Sequence, residues 1–257
     1  MMLKSQRFKG KVAIVTGGAS GIGKSLVTRL ESDGATVVVF DNSLSREDVA
    51  MGELRVDVTS ESDVTAAVAK ILKHFGKIDM LANCAGIGRK SSILETSLDS
   101  WNEVIAVNLT GTFLVSREVA RAMVTTGGGA IVNIASVDAH AADPDYASYN
   151  TSKSAVLGLT RSFAVELGQL NIRVNSVSPG LVLTPMITRS SSNPAILKHI
   201  TEEFHRVPMR RVIQPDEVAS SCAYLLSDDA SGVTGADMIV DGGMMADSYL
   251  MSSLPQS

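Results

Sequence analysis

Lys11-Val12-Ala13-Ile14-Val15-Thr16-Gly17-Gly18-Ala19-Ser20-Gly21-Ile22-Gly23 is the stretch that decides the fold. An apolar run of strand length, Val12–Thr16, hands over to a glycine-rich turn. A helical period follows, with Ile22, Leu26, Val27 and Leu30 on one face. Gly34 then supplies a helix stop. Glycine lets the backbone turn tightly and approach a pyrophosphate closely. The N-terminus of the helix behind it offers free N–H groups and the positive end of a dipole. The turn therefore fits a nucleotide, with Gly17, Ser20, Gly21, Ile22 and Gly23 as candidate contacts. Its spacing is G-x-x-x-G-x-G rather than G-x-G-x-x-G.

The same alternation continues outward. Candidate strands are Val12–Thr16, Thr36–Asp41, Glu53–Val58, Ile78–Asn83, Ala130–Ala135, Arg173–Ser178 and Met238–Asp241. Most are nearly continuous apolar runs, as strands buried on both faces should be. Amphipathic stretches lie between them. Ser60 and Asp63 form a capping pair before Val64, Val68, Ile71 and Leu72. This pattern predicts an α/β fold: one Rossmann-type doubly wound domain over 1–257, with about seven parallel strands and helices on both faces. Thr184–Arg211 breaks the rhythm and carries a predicted helix over Ala195–His205. A long interruption of this kind reads as a substrate lid at about 184–211.

Bulk properties narrow the function. The chain has 257 residues, 45% of them hydrophobic, and a formal net charge of −4. An acidic balance argues against nucleic acid and anionic membranes as partners. No apolar run reaches the roughly 18 residues of a membrane span, and the first residues lack the apolar core of a signal peptide. Cys84 and Cys222 make neither a metal spacing nor a disulfide framework. His74, His140, His199 and His205 form no ligand cluster, so no metal is expected. A reducing, cytoplasmic setting follows as the expectation.

Asp41 ends the second strand, about 20 residues beyond the glycine turn. A carboxylate there can accept hydrogen bonds from both ribose hydroxyls of an adenosine and would repel a 2′-phosphate. Ser20, before Gly21, and Asn42, after Asp41, are not basic. The cofactor expected is NAD rather than NADP.

Tyr149 and Lys153 stand four apart in a run of helical character, Tyr149 to Leu167, and so share one helix face. A nearby ammonium favours tyrosinate over phenol, and so does an oxidised nicotinamide. Moving a tyrosine from its usual 10 to neutrality needs roughly 4 kcal/mol of differential stabilisation. Ser136 lies thirteen residues before Tyr149, at the C-terminal end of Ala130–Ala135. Open α/β sheets bind their ligands at that end. Its hydroxyl could hold a substrate oxygen while Tyr149 exchanges the proton.

From Val12 to Gly243 the chain resembles the classical short-chain dehydrogenases/reductases. Asp57-Val58 is similar to the family's adenine contact. Asn83-Cys84-Ala85-Gly86 is similar to its N-N-A-G segment, with cysteine for the second asparagine. Val107-Asn108-Leu109 carries the helix asparagine that holds a water behind the lysine. Ser178-Pro179-Gly180, Val182 and Thr184 resemble the segment that binds the carboxamide and phosphates. Val233-Thr234-Gly235 and Val240-Asp241-Gly242-Gly243 resemble the closing strand. The resemblance implies a catalytic tetrad of Asn108, Ser136, Tyr149 and Lys153. It implies cofactor contacts at Asp57, Val58, Asn83, Ala85, Gly86, Tyr149, Lys153, Pro179, Gly180, Val182 and Thr184.

The activity implied is NAD(H)-dependent interconversion of a secondary alcohol, including a cyclic alcohol, diol or polyol, and its ketone. The alternatives are a biosynthetic ketoreductase of oxoacyl or polyketide type, and a non-catalytic nucleotide-binding protein. The intact tetrad argues against the latter. Around the substrate, Asp138 and His140 could face a polar group or could be solvated loop residues. Tyr146, Leu181 and Met186 would supply apolar walls beside Ser136 and Tyr149. His205, Arg206, Arg210 and Arg211 read as a solvated lid face. The resemblance also implies a homotetramer, to which the Met-containing tail Met244–Met251 would contribute.

Overall fold

The computed structural model describes residues 6–190, 198 and 207–247. Seven strands form one parallel sheet: β1 (Val12–Thr16), β2 (Thr36–Phe40), β3 (Glu53–Leu54), β4 (Met80–Asn83), β5 (Gly129–Ile134), β6 (Ile172–Pro179) and β7 (Asp237–Val240). Their spatial order is β3-β2-β1-β4-β5-β6-β7, so the direction of winding reverses between β1 and β4. At that point Thr16 lies beside Asn83 in register. A crevice opens beyond the carboxyl ends of the two strands, as the doubly wound rule requires.

Alternate residues of each strand feed opposite cores. Val12 and Ile14 of β1 join the cluster containing Val64, Val68, Val115 and Val119. Ala13 and Val15 join the one containing Leu26, Leu30, Val218 and Cys222. The first cluster lies under α2 (Glu61–Phe75), α4 (Thr112–Thr126) and α5 (Ala147–Leu167), the second under α1 (Gly21–Ser32) and α7 (Pro215–Leu226). Between these come α3 (Leu98–Ile105) and, after β6, the short α6 (Pro185–Ser190). Every residue of β1 and β4 is buried. That is why their sequences show continuous rather than alternating hydrophobicity.

Two elements differ from the sequence reading. The run Glu53–Val58 pairs as a strand only at Glu53 and Leu54. Val56 and Val58 are buried without joining the ladder, so burial and not pairing makes that run apolar. Between α3 and α4 the chain makes a π-turn, Ala106–Gly111, with helical backbone angles at both ends. Such a turn inserts a residue into the helix and re-aims its side chains. Asn108 sits within it. The predicted helix Ala195–His205 lies outside the described residues, apart from Lys198.

Candidate active site

The glycine turn leaves the N-terminus of α1 open. Ser20, its N-cap, makes no side-chain capping bond, and the first turn holds no acidic residue. By contrast α2 is capped by Ser60, whose Oγ accepts from Asp63 N, and carries Glu61 and Asp63 in its first turn. The helix that faces the crevice is thus the one with unspent N–H groups and an uncompensated dipole, as a phosphate requires. Gly17 takes φ +64°, and a Cβ there would lie 2.9 Å from Ala85 Cα; a Cβ on Gly23 would lie 2.3 Å from Gly17 O. Thr16 Oγ1 accepts from the N–H of both Cys84 and Ala85 at 3.0 Å, clamping the ends of β1 and β4. Across the opening, the Thr184 methyl comes within 3.5 Å of where a Cβ on Gly21 would sit. The early turn and the segment after β6 therefore converge. Val182 is buried and bridges Ile213, while Gly180 lies against Asp241. This cradle fits a dinucleotide.

Asp41 does more than the sequence suggests. Its Oδ2 accepts from Ala19 N at 3.1 Å, and its Oδ1 accepts from Ser43 N and Ser43 Oγ at 2.9 and 2.6 Å. A carboxylate has about four acceptor sites. Three are engaged, which leaves room for one further donor, and for a second only if the Ser43 hydroxyl turns away. Asp57 is exposed, and its Oδ1 accepts from both Thr59 N and Thr59 Oγ1. Val58 is buried against Gly111.

The four tetrad positions come together beyond β5. Ser136, 7% exposed, caps the single turn Val137–Ala139 and accepts from Asp138 N at 3.1 Å. Lys153 is buried on α5 and donates to Ile134 O at 2.7 Å, with Nζ 5.6 Å from the centre of the Tyr149 ring. Gly86 lies over both Lys153 Nζ and Asn108 Oδ1, at 3.5 and 3.4 Å from its would-be Cβ. Asn108 clamps Ile87 by its backbone: Oδ1 accepts from Ile87 N at 2.8 Å and Nδ2 donates to Ile87 O at 2.9 Å. Its second amide proton goes to Ser152 Oγ at 3.0 Å. Both amide protons are spent, so a water behind Lys153 would have to be held by other atoms.

Burial sets the electrostatics of the Tyr149 and Lys153 pair. Tyr149 is pushed up to about 12, first by burial and then by Asp138; only its hydrogen bond with Ser136 works the other way. Lys153 is pushed down to about 8 by burial. Burial is the first cause of both shifts, favouring the phenol of Tyr149 and the neutral amine of Lys153. Burial likewise pushes the Cys84 thiol up to about 12, which disfavours its thiolate.

The substrate side is divided. Asp138 is half-buried next to Ser136, and Tyr146 stacks edge-on with Tyr149 at 6.3 Å between ring centres. Leu181 is half-buried and Met186 is 44% exposed. His140 turns away. Its Nε2 meets Asp237 Oδ2 at 2.8 Å, and Asp237 also accepts from Ser176 and Ser178 of β6. An exposed residue, it fastens the turn after Ser136 to β7. Asn83 is buried at the end of β4 and donates to Ser116 Oγ and Asn133 Oδ1, both at 2.8 Å.

These features find a close match among known proteins. A family model described as enoyl-(acyl carrier protein) reductase matches residues 17–245. D-threitol dehydrogenase of Mycolicibacterium smegmatis is 36% identical over 92% of this chain and 94% of its own length. The 3-alpha-(or 20-beta)-hydroxysteroid dehydrogenase of Mycobacterium bovis is 39% identical over 94% and 92%. The ligand-free aldohexose dehydrogenase of Thermoplasma acidophilum superposes with a TM-score of 0.91 at 35% identity, covering 98% of this chain and all of that one. The chain belongs to the short-chain dehydrogenase/reductase family. It is an enzyme, a short-chain alcohol dehydrogenase that works with a nicotinamide cofactor.

Within a short-chain dehydrogenase frame, sequence reasoning missed residues that act through others. Thr16 was quoted only as the end of a strand, yet it joins the two halves of the crevice. A polar residue closing an otherwise apolar strand was the available signal. Ser152 links Asn108 to the backbone of α5 by donating to Tyr149 O at 2.7 Å. It lies between Tyr149 and Lys153, and no spacing rule marks it. No helix among the described residues is long and apolar enough to cross a membrane, and no group of metal-binding side chains occurs among them.

Proposed function

We propose that this enzyme interconverts a secondary alcohol and its ketone with NAD(H), on a cyclic alcohol, diol or polyol. The observation that carries the reading is the convergence of Ser136, Tyr149 and Lys153 beyond β5, facing a cradle whose β2 corner is the Asp41 carboxylate. The cofactor, when bound, supplies the hydride acceptor or donor. Tyr149 takes the carbinol proton in oxidation and returns it in reduction. Ser136 orients the reacting oxygen. Lys153 keeps donors beyond the one given to Ile134 O, and these are available to a ribose. Its charge and that of an oxidised nicotinamide together oppose the burial that holds Tyr149 as phenol. Asn108 fixes Ile87 and, through Ser152, the first turn of α5. The carboxylates Asp138, Asp143 and Asp145 near the two tyrosines support a neutral substrate over an anionic one.

The reading includes a single catalytic domain with a lid at about 184–211, a homotetramer, and a cytoplasmic setting without nucleic-acid or membrane partners. The test is turnover of NAD and NADP against a panel of secondary alcohols, cyclic alcohols and polyols, with an oxoacyl thioester and NADPH as the competing pair. NAD-linked oxidation of the alcohols is expected. Thioester reduction with NADPH, and none of the alcohols oxidised, would overturn the reading in favour of a ketoreductase.

A further inference from the structure

Asp138 is held within one turn of the catalytic-site serine. Its own N–H donates to Ser136 Oγ, which fixes the residue two positions beyond the hydroxyl that would carry the reacting oxygen. Its carboxylate lies among Ser136, Tyr149, Tyr146 and Asp143. Among the described residues it has no ion-pair partner. Basic side chains around the site are engaged elsewhere: His140 with Asp237, Lys90 with Asp145 and Lys153 with Ile134 O. A half-buried carboxylate without a counter-ion calls for hydrogen-bond donors. The protein offers it the Ser136 hydroxyl, whose single proton is also wanted by Tyr149.

We propose that Asp138 determines substrate choice by accepting a hydrogen bond from a hydroxyl on the carbon beside the reacting carbinol, so that the enzyme prefers vicinal diols to simple secondary alcohols. This rests on the dehydrogenase reading above. The geometry follows from Ser136. Its Oγ accepts from Asp138 N at 3.1 Å, which holds residue 138 beside the place a reacting oxygen would take, so a hydroxyl one carbon away is the donor its carboxylate would meet. A simple alcohol presents only a C–H there and leaves the carboxylate unmet. Discrimination of this kind is strong because the unsatisfied partner is a charged group of the protein.

The experiment compares kcat/KM for cyclohexanol with that for cis- and trans-1,2-cyclohexanediol under NAD. These substrates share a ring and differ by one hydroxyl. Wild-type enzyme is expected to prefer at least one diol by tenfold or more. In Asp138→Leu the ratio of diol to cyclohexanol should fall at least tenfold, and in the shape-conserving Asp138→Asn at least threefold. Both variants are checked by thermal melting. A wild type that prefers cyclohexanol to both diols, or an unchanged ratio in Asp138→Asn, overturns the role of Asp138 and leaves the dehydrogenase reading intact. Failure of wild type to oxidise any alcohol overturns both.

Discussion

Replacing Tyr149 with Phe removes one hydroxyl and leaves the ring against Tyr146, so fold and NADH binding should survive. Turnover should fall at least about 100-fold, the range expected for a lost acid/base group; residual activity within about tenfold would remove Tyr149 from that role. The pH dependence carries its own sign. Oxidation needs the tyrosinate, and burial followed by Asp138 raises Tyr149 to about 12. Oxidation kcat/KM should therefore climb with pH, and Asp138→Asn, which removes a neighbouring negative charge, should move that limb to lower pH. A limb that stays put in the variant would contradict the assignment. Asp41 is testable by cofactor choice. Charge-assisted bonds to a ribose are worth about 1.5–3 kcal/mol, and repulsion of a 2′-phosphate adds to them. Selectivity for NAD should reach about 100-fold in kcat/KM. Asp41→Ala with Asn42→Arg should narrow or invert it by supplying a cation for the phosphate. Because Asp41 also holds Ala19 N, the same double variant should melt lower. Tyr149, Lys153 and Asp41 were legible because their spacing is local to one helix or one strand end. His140 was not, because its partner Asp237 lies 97 positions away.

At the level of elements, the strands were readable where both faces are buried, and least so at β3, where burial continues past the ladder. The π-turn was illegible. Ala106–Gly111 has helical angles and helical composition, and only the extra residue in the turn distinguishes it. The chain of buried amides and hydroxyls from Ser116 through Asn83 and Asn133 to Thr160 joins two helices and two strands, so no local window contains it. The α1 turn gives a direct test of the cradle. In Gly23→Ala the new methyl would meet Gly17 O at 2.3 Å. Relief requires the turn to open, at a cost of about 1–3 kcal/mol by analogy with overpacked cores. NADH affinity, measured by fluorescence titration, should fall at least tenfold, and the melting temperature should drop by at least about 2 °C. Unchanged binding would show that the turn does not carry the pyrophosphate.

At the scale of the whole molecule, α4 and α5 present a groove of about 400 Å³ lined by Phe113, Val124, Leu159, Phe163 and Leu167 among others. Val165 beside it is 82% exposed. Apolar surface of this kind is expected to be covered by another copy, and light scattering should report a tetramer. Val165→Glu, which touches no core residue, should shift the population toward smaller species while preserving the melting of the subunit; a variant that stays tetrameric would place the contact elsewhere. The sheet has two unlike margins. On one side β3 is only two residues long, and Arg46 pairs with Glu53 across its end. On the other, among the described residues β7 pairs with β6 alone, and Ile239 on it is 44% exposed. A sheet that could add strands at both margins would polymerise. One that can add at a single margin meets only its own kind, two-fold related, and growth stops at the pair. A β3 of two residues, with Glu53 already bridged to Asp48, would on that account end strand addition at its margin and keep a seven-stranded sheet from seeding a fibre.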